Sequence, residues 1–284
     1  MSNQSGVSKS DCHGLPAVHL LSPDGASGVV TLHGAQVVSW IPAGGEERLY
    51  LSERSHFEAD AAIRGGIPVI FPQFAAEGPL PRHGFARTAE WTLQQSSSGA
   101  DFAGAVLRFT DTARTRSIWP HAFAVELTVA VGADRLDVEL EVENRGGDDL
   151  RFTAALHTYL RVQEGETVRV DGLRGLHYRD QVAGGREDQE SAEVLTIDRE
   201  IDRIYFDAPP TLLLREPGRS LSIHGEGFPD VVVWNPWDEK CAQLADMPAL
   251  GFRRMLCIEH AVIGHPVRLK PGAAWWGRQS LQAF

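Results

Sequence analysis

The sequence predicts an all-β protein, built as a large sandwich of antiparallel sheets with at most short helices. Two observations carry this prediction. Apolar residues recur at every second position in many short runs, which is the period of a strand buried on one face. The runs follow one another with glycine or proline in many of the gaps and without long helical segments, an order that favours antiparallel sheets packed face to face.

The strictest alternation lies near the middle of the chain. Within residues 135–143, aliphatic and acidic side chains alternate from Leu136 to Glu143, and residues 123–131 alternate in a similar way. The linker Gly132-Ala133-Asp134 has the residue types of a hairpin turn, so we expect two paired strands here. Similar runs predict further strands at residues 17–21, 28–33, 36–41, 105–110, 151–162, 211–215, 220–224, 231–234, 255–261 and 273–282.

The arrangement of these runs predicts one domain behind a short tail. Residues 1–14 are polar and lack the apolar core of a signal peptide, so we expect a flexible tail there. No change of composition divides residues 15–284, which favours a single domain. Residues 240–250 favour a short helix, and the charged stretch 184–193 is expected to be an exposed loop.

Charge, cysteine content and missing motifs exclude several classes of function. The 284 residues carry 38 acidic and 27 basic side chains, and the net charge of −11 argues against nucleic acid and anionic membranes as partners. The cysteines Cys12, Cys241 and Cys257 form no CxxC pair, so a cytoplasmic setting is favoured and a zinc site is not expected. No nucleotide-binding, zincin or serine-hydrolase motif is present, and no run approaches the ~18 apolar residues of a membrane span.

Two basic segments have the residue types of an anion site. Arg64 precedes a stiff turn rich in glycine and proline, and a guanidinium can grip a carboxylate or phosphate through two parallel hydrogen bonds. Arg82, His83 and Arg87 cluster in the second segment, where a local positive charge could bind an anion despite the negative total. The residue types leave a second interpretation open for both segments, namely structural ion pairs with nearby carboxylates.

Two predicted strands carry titratable residues among apolar or aromatic neighbours. His157 shares a strand face with Tyr159, and an imidazole there can donate or accept a proton near neutral pH. Glu259 lies mid-strand beside Cys257, where desolvation would raise its pKa toward the range of a general base. Considered alone, His157 is more often a structural histidine, and Glu259 is equally explained by a buried ion pair. Segment 234–237 is aromatic and could stack on a sugar or fill the core.

Eight short motifs in order resemble those of a known family. They are Arg64-Gly-Gly-Ile-Pro, Pro72-Gln-Phe74, His83-Gly-Phe-Ala-Arg87, Leu156-His-Thr-Tyr159, Asp202-Arg-Ile-Tyr205, Trp234-Asn-Pro-Trp237, Glu259-His-Ala261 and Lys270-Pro-Gly272. From Gly28 to the C-terminus the chain resembles the aldose 1-epimerase superfamily with its galactose-mutarotase-like supersandwich. It is most similar to the glucose-6-phosphate 1-epimerase, or hexose-6-phosphate mutarotase, branch of that superfamily.

The resemblance implies roles for individual residues. His157 and Glu259 match the catalytic histidine and glutamate of the family. His83 and Asp202 match positions that contact the sugar hydroxyls or the reacting end of the substrate. Gln73, within the second motif, is expected to be a further substrate contact. Arginines at positions 64 and 87, with the one at 82 as a third, match those associated with the sugar phosphate.

The implied activity is interconversion of the α and β anomers of a hexose 6-phosphate. In this reaction Glu259 would remove the C1 hydroxyl proton and His157 would protonate the ring oxygen, so the ring opens and then closes on the other face. No metal, nucleotide or redox cofactor is implied. Two alternatives stay open: an epimerase of unphosphorylated aldoses, and a noncatalytic sugar-phosphate-binding protein on the same fold. The preferred hexose is not encoded, and of the possible oligomeric states a monomer is favoured.

Overall fold

The computed structural model describes residues 6–284, and nearly all its regular structure is strand. In chain order, β1 to β20 are Gly6–Cys12, Leu15–Leu21, Ser27–Thr31, Val37–Ile41, Val69–Ile70, Thr92–Ser98, Ala103–Thr110, Phe123–Gly132, Arg135–Asn144, Leu150–Leu156, Tyr159–Arg161, Arg169–Asp171, His177–Asp180, Arg186–Gln189, Ile201–Tyr205, Thr211–Glu216, Arg219–Glu226, Asp230–Asn235, Met255–Leu269 and Ala274–Ala283. The α-helices are α1, Ala113–Ile118, and α2, Trp237–Gln243, and single 3₁₀ turns lie at Ala86–Thr88, Gly165–Thr167 and Gly251–Arg254. The predicted all-β fold with short helices is confirmed.

The strands form three sheets. Sheet A has four strands in the order β1-β2-β3-β4. Sheet B has eight strands, in the order β14-β13-β15-β18-β19-β10-β5 with β11 paired to β19. Sheet C also has eight, in the order β12-β16-β17-β20-β9-β8-β7-β6. All strand pairs in the three sheets are antiparallel, as the runs of alternating residues predict.

One hydrophobic core joins the three sheets. Trp40 from sheet A, Leu127 and Leu140 from sheet C, and Leu156 and Ile258 from sheet B belong to the same buried cluster. Each of these side chains is fully buried, a burial that stabilises the fold by roughly 1.5–3 kcal/mol per large aliphatic side chain. The predicted hairpin of β8 and β9 is confirmed, and Leu127 lies directly opposite Leu140 within it.

The expected flexible tail is wrong over Gly6–Cys12. This segment is β1, paired with β2 along its whole length from Gly6 opposite Leu21 to Cys12 opposite Leu15. Strand pairing uses backbone groups, and an edge strand with polar side chains carries no apolar period to reveal it. Residues 1–5 lie outside the described part of the chain, and the single domain expected over 15–284 stays a prediction.

Three other elements differ from the sequence expectations. The short helix begins earlier than expected, at Trp237, and ends at Gln243, because Asn235 and Pro236 end β18 just before it. The expected loop 184–193 contains the exposed strand β14, which pairs with β13. The run 151–162 is split into β10 and β11. Within residues 6–284, neither helix is long and apolar enough to cross a membrane.

Candidate active site

The break between β10 and β11 turns the chain at His157. The Thr158 N–H donates to the Leu156 carbonyl at 2.9 Å, so the regular ladder with β19 is interrupted there. The His157 N–H instead donates to the Pro68 carbonyl at 3.0 Å. The neighbouring Gly66 has φ +60°, and a Cβ on it would lie 2.2 Å from the Val37 carbonyl oxygen, so only glycine fits this close approach.

Sheet B brings His157 and Glu259 together although they are far apart in the sequence. Glu259 lies on β19, and its Oε1 is 3.2 Å from Nδ1 of His157. The exposed fraction of the side chain is 11% for His157 and 1% for Glu259. Nδ1 of His157 and Oε2 of Glu259 are buried and make no hydrogen bond of good geometry with any described residue. Buried polar atoms without partners are uncommon in proteins, so these two atoms are candidates for contact with a ligand or for proton transfer.

The surroundings of the pair favour its uncharged forms. Desolvation raises the pKa of Glu259 well above its ordinary value, and the nearby Asp202 adds to this. Desolvation also lowers the pKa of His157 well below its ordinary value, with further lowering from His83, Arg87 and Arg64. The pair therefore holds one proton near neutral pH, and it can give one proton while it accepts another.

His83 supplies a neutral hydrogen-bond donor beside the pair. Its Nδ1 accepts from the Ala75 N–H at 3.3 Å, so the ring proton belongs on Nε2. Desolvation, with Arg87, Arg82 and Arg64 adding, lowers the pKa of His83 to about 3. Its ring centroid is 5.6 Å from that of His157 in an edge-to-face arrangement.

Arg64 is held firmly at one end of the site. Its Nε is 3.0 Å from Oδ2 of Asp246, and its Nη1 donates to the hydroxyl of Tyr159 at 2.9 Å. The Tyr159 ring stacks on that of His157, with centroids 4.8 Å apart and planes inclined by 9°. Tyr159 therefore connects the guanidinium of Arg64 to the imidazole of His157.

Arg87 differs from Arg64 because no carboxylate in residues 6–284 forms an ion pair with it. Its Nη2 donates only to the Arg82 carbonyl, at 3.2 Å. Burial lowers the pKa of Arg87, and the positive charges of Arg64 and Arg82 lower it further, although Tyr159 opposes this. A partly desolvated guanidinium without an anionic partner is costly, so this position favours binding of an anion.

The opposite wall comes from strands β15 and β18 and helix α2. Asp202 on β15 has its pKa raised to about 6, chiefly by desolvation, while Arg82 opposes the shift. The ring of Trp234 on β18 is 6.1 Å from that of His157. Lys240 on α2 also lines this wall. These groups add a carboxyl, an aromatic surface and a cation to the site.

One cavity of about 650 Å³ is lined by six of the seven predicted site residues, namely Arg64, His83, Arg87, His157, Asp202 and Glu259. Arg82 also lines it. The exception, Gln73, is not among the lining residues, and its role as a substrate contact stays a prediction. Its amide spans the loop before His83, donating to the carbonyls of Ala75 and Leu80 and accepting from the Leu80 N–H at 3.0 Å.

Sequence reasoning missed several polar residues at or behind the cavity, among them Lys240 and Asp246. Lys240 lies within the stretch expected to form a short helix, but nothing in that pattern indicates that it faces the cavity. Asp246, the partner of Arg64, is 182 positions away in the sequence and belongs to none of the motifs. One group of three potential metal ligands occurs among the described residues, and it consists of His157, Cys257 and Glu259.

A family model described as aldose 1-epimerase matches residues 16–282. Two relatives carry the name "putative glucose-6-phosphate 1-epimerase". That of Cenchrus ciliaris is 35% identical over 280 residues, covering 95% of this chain and 85% of the relative. That of Escherichia coli K12 is 34% identical over 234 residues, covering 81% of this chain and 78% of the relative.

Two solved structures are similar to this chain over nearly its whole length. The crystal structure of a "putative mutarotase" from Salmonella typhimurium is 27% identical with a TM-score of 0.90, covering 98% of this chain and 93% of that one. The galactose 1-epimerase of Lactobacillus acidophilus is 14% identical with a TM-score of 0.75 and 98% coverage of both chains, a likeness of fold alone. The galactose-mutarotase-like fold is thereby confirmed, and the chain belongs to the aldose 1-epimerase family of isomerases.

Proposed function

We propose that this protein is a hexose-6-phosphate mutarotase of the glucose-6-phosphate 1-epimerase type. The observation that carries the proposal is a one-proton pair, with Nδ1 of His157 and Oε1 of Glu259 3.2 Å apart, in a cavity that also holds the unpaired guanidinium of Arg87. The names of the two relatives support the same substrate. In this proposal the phosphate binds at Arg87 and Arg64, and the sugar ring reaches the pair.

The reaction needs two proton transfers that balance. The Glu259 carboxylate takes the C1 hydroxyl proton, and the electron pair of that O–H bond forms the C1 carbonyl. The bond between C1 and the ring oxygen breaks, and that oxygen receives a proton from His157. Rotation about the C1–C2 bond and the reverse transfers close the ring on the other face. Each positioned transfer typically contributes on the order of 10²–10⁴-fold to the rate.

Phosphate binding would also set the pair in its reactive form. The positive charges of Arg87 and Arg64 help to lower the pKa of His157. A phosphate dianion beside these arginines screens them, so the proton passes more easily from Glu259 to His157. The His83 Nε2–H and the Asp202 carboxyl are then available to contact sugar hydroxyls. This coupling predicts faster turnover of phosphorylated sugars.

The test is relaxation of freshly dissolved α-glucose 6-phosphate toward equilibrium, followed by polarimetry and NMR. We expect purified protein to accelerate it strongly and to accelerate free glucose or galactose much less. Equal acceleration of the free sugars would favour the unphosphorylated-aldose alternative. Binding by calorimetry without turnover, and unaffected by His157→Ala and Glu259→Ala, would favour the noncatalytic alternative.

We further propose a cytoplasmic setting with a small-molecule hexose phosphate as the partner. Sugar phosphates are charged metabolites that do not cross membranes unaided, and the chain carries the free cysteines Cys12, Cys241 and Cys257. The acidic net charge of −11 supports the expectation of no nucleic-acid partner. A monomer is favoured because one chain supplies every residue of the proposed site.

A further inference from the structure

A buried thiol lies directly behind the proton-transfer pair. Cys257 is on β19, two residues before Glu259 and on the same face of the strand. In the ladder it lies opposite Tyr159 on one side and Trp234 on the other. It is fully buried and does not line the cavity. Cys257 packs in a buried cluster with Tyr159 and Met255, and the proposed anomer reaction does not use its thiol.

The ligand atoms of His157, Cys257 and Glu259 all lie within 4.8 Å of one another. Nδ1 of His157 and Oε1 of Glu259 are already 3.2 Å apart. A tetrahedral zinc ion bound at about 2.0–2.1 Å by nitrogen and oxygen holds those atoms about 3.4 Å apart, so this edge is preformed. The edges to sulfur are about 3.6 Å in such a site, and a small rotation of the Cys257 side chain closes that gap.

A second observation points to a ligand at this place. His157 and Glu259 are 8% and 1% exposed, and Nδ1 of one and Oε2 of the other make no hydrogen bond. The lone pairs that a metal ion requires are therefore not engaged elsewhere. Thiolate, imidazole and carboxylate together are a donor set that soft and borderline divalent ions prefer, whereas Mg²⁺ and Ca²⁺ prefer oxygen ligands.

We propose that His157, Cys257 and Glu259 form an inhibitory site for Zn²⁺ and the similar ion Cd²⁺. The ion replaces the proton shared by His157 and Glu259, with the cavity side left for a water molecule as fourth ligand. Thiolate and carboxylate neutralise the divalent charge, so the bound ion adds no net charge beside Arg87 and Arg64. Metal binding and turnover are mutually exclusive because both use the same lone pairs.

The test is a cadmium titration of purified protein in a Cys12→Ala background, which removes the one thiol that is not buried. The thiolate-to-cadmium charge-transfer absorbance reports binding without any need for activity, so the result stands even if the proposed anomer reaction fails. We expect one ion per chain, competition by Zn²⁺, and loss of the absorbance in Cys257→Ala. Cys241→Ala is the matched control, a buried thiol whose Sγ contacts the Pro248 carbonyl at 3.2 Å.

Two further measurements test the proposal in case Cys257→Ala folds poorly. Glu259→Gln keeps the thiol and removes one ligand, and should weaken cadmium binding at least about 10-fold. Zinc inhibition of anomer exchange, measured relative to each protein's own metal-free rate, should be lost in Cys257→Ala and kept in Cys241→Ala. No charge-transfer band, a band lost in Cys241→Ala instead, or unchanged affinity in Glu259→Gln would overturn the proposal.

Discussion

Sheets B and C have eight strands each and differ in where their ionisable side chains lie and whether these are paired. On sheet C, inward positions such as Leu127 and Leu140 are fully buried, and the acidic residues alternating with them reach solvent or pair, as Glu126 does with Arg108 at 2.7 Å. Sheet B instead buries Glu259 and His157 with polar atoms unpartnered. The difference suggests a division of roles: sheet C chiefly supplies stability, while sheet B carries costly buried groups on the face where we propose that the chemistry takes place.

Glu259→Gln on sheet B should have the largest effect and tests the comparison most strongly. Loss of one positioned proton transfer should slow anomer exchange by about 10²–10⁴-fold, while stability stays equal or rises because a buried carboxyl is removed. Exchange NMR and urea denaturation measure the two effects. Glu141→Gln, an exposed carboxyl of sheet C, is the control and should change neither. A stability loss in Glu259→Gln with activity retained would contradict the division of roles.

Leu140→Ala on sheet C should have the opposite consequences, lowering stability but not the anomer-exchange rate. The side chain is fully buried opposite Leu127, so its truncation should cost about 2–5 kcal/mol of unfolding free energy. The anomer-exchange rate per folded molecule should be unaffected, because no atom of Leu140 approaches the cavity. Urea denaturation and the exchange rate at a temperature where the variant is folded check both statements. A large fall in that rate would show that sheet C acts on the chemistry.

Arg87→Ala sharpens the comparison within sheet B and its neighbouring loops. Removing an unpaired guanidinium should raise KM for glucose 6-phosphate by about 10–100-fold, since hydrogen bonds to charged groups contribute about 1.5–3 kcal/mol. Turnover of free glucose should stay the same or rise, because the charge of Arg87 helps to lower the pKa of His157. The matched control is Arg268→Ala, an exposed arginine of β19 outside the cavity. An equal rise in KM for glucose would show that Arg87 does not bind the phosphate.

The sequence predicted the fold for a physical reason, whereas the roles in the candidate site were implied by the family resemblance. Strands of alternating residues show their buried faces directly, and His157 and Glu259 stand out because they interrupt apolar faces. Gln73 has the residue type of a ligand, but its backbone contacts within the loop could be seen only in three dimensions. The ion pair of Arg64 with Asp246 spans 182 positions, and pattern reasoning does not reach such distances.

The edge strand β1 was missed for a related reason. Its partner is chosen by backbone hydrogen bonds to β2, and its half-exposed polar residues resemble those of a tail. Lys240 was missed because a helix pattern indicates which face is buried and not which cavity the exposed end approaches. The sequence thus shows which face of a strand or helix is buried more clearly than it shows which residues lie beside that face.

The inward face of sheet B offers a test by pH. His260 is buried there, its Nδ1 accepts from the Gln279 amide at 2.9 Å, and desolvation, with His224 adding, lowers its pKa to about 4. The unfolded chain binds this proton below about pH 6.5 and the folded chain does not, so acidification from about 6.5 to 4 destabilises the fold. The slope from this group is at most about 1.4 kcal/mol per pH unit.

Urea denaturation across this pH range measures the effect, and His260→Gln should flatten the slope relative to wild type. Ser222→Ala, at a half-buried position of β17 in sheet C, removes no titrating group and should leave the slope as it is. An unchanged slope in His260→Gln would mean that the acid sensitivity has another source.

The smallest expected effect is that of Tyr159→Phe. This change removes the hydroxyl that accepts from Arg64 but keeps the ring stacked on His157. The donor of this bond is charged, and such bonds contribute about 1.5–3 kcal/mol, but Arg64 keeps its ion pair with Asp246, so KM for the phosphate ester should rise by at most about 10-fold with kcat unchanged. Tyr159→Leu, which also loses the stack, should lower kcat. Equal kcat values in the two variants would disprove the positioning role of the ring.

The central claim is that the one-proton pair of sheet B opens and closes the ring of a hexose 6-phosphate. Exchange NMR at equilibrium measures it most directly, because cross-peaks between the α and β anomers of glucose 6-phosphate report the catalysed step without a coupling enzyme. We predict strong cross-peaks with wild-type protein, their loss with Glu259→Gln, and weak ones with free glucose. Exchange no faster than in buffer with folded wild-type protein would contradict the account.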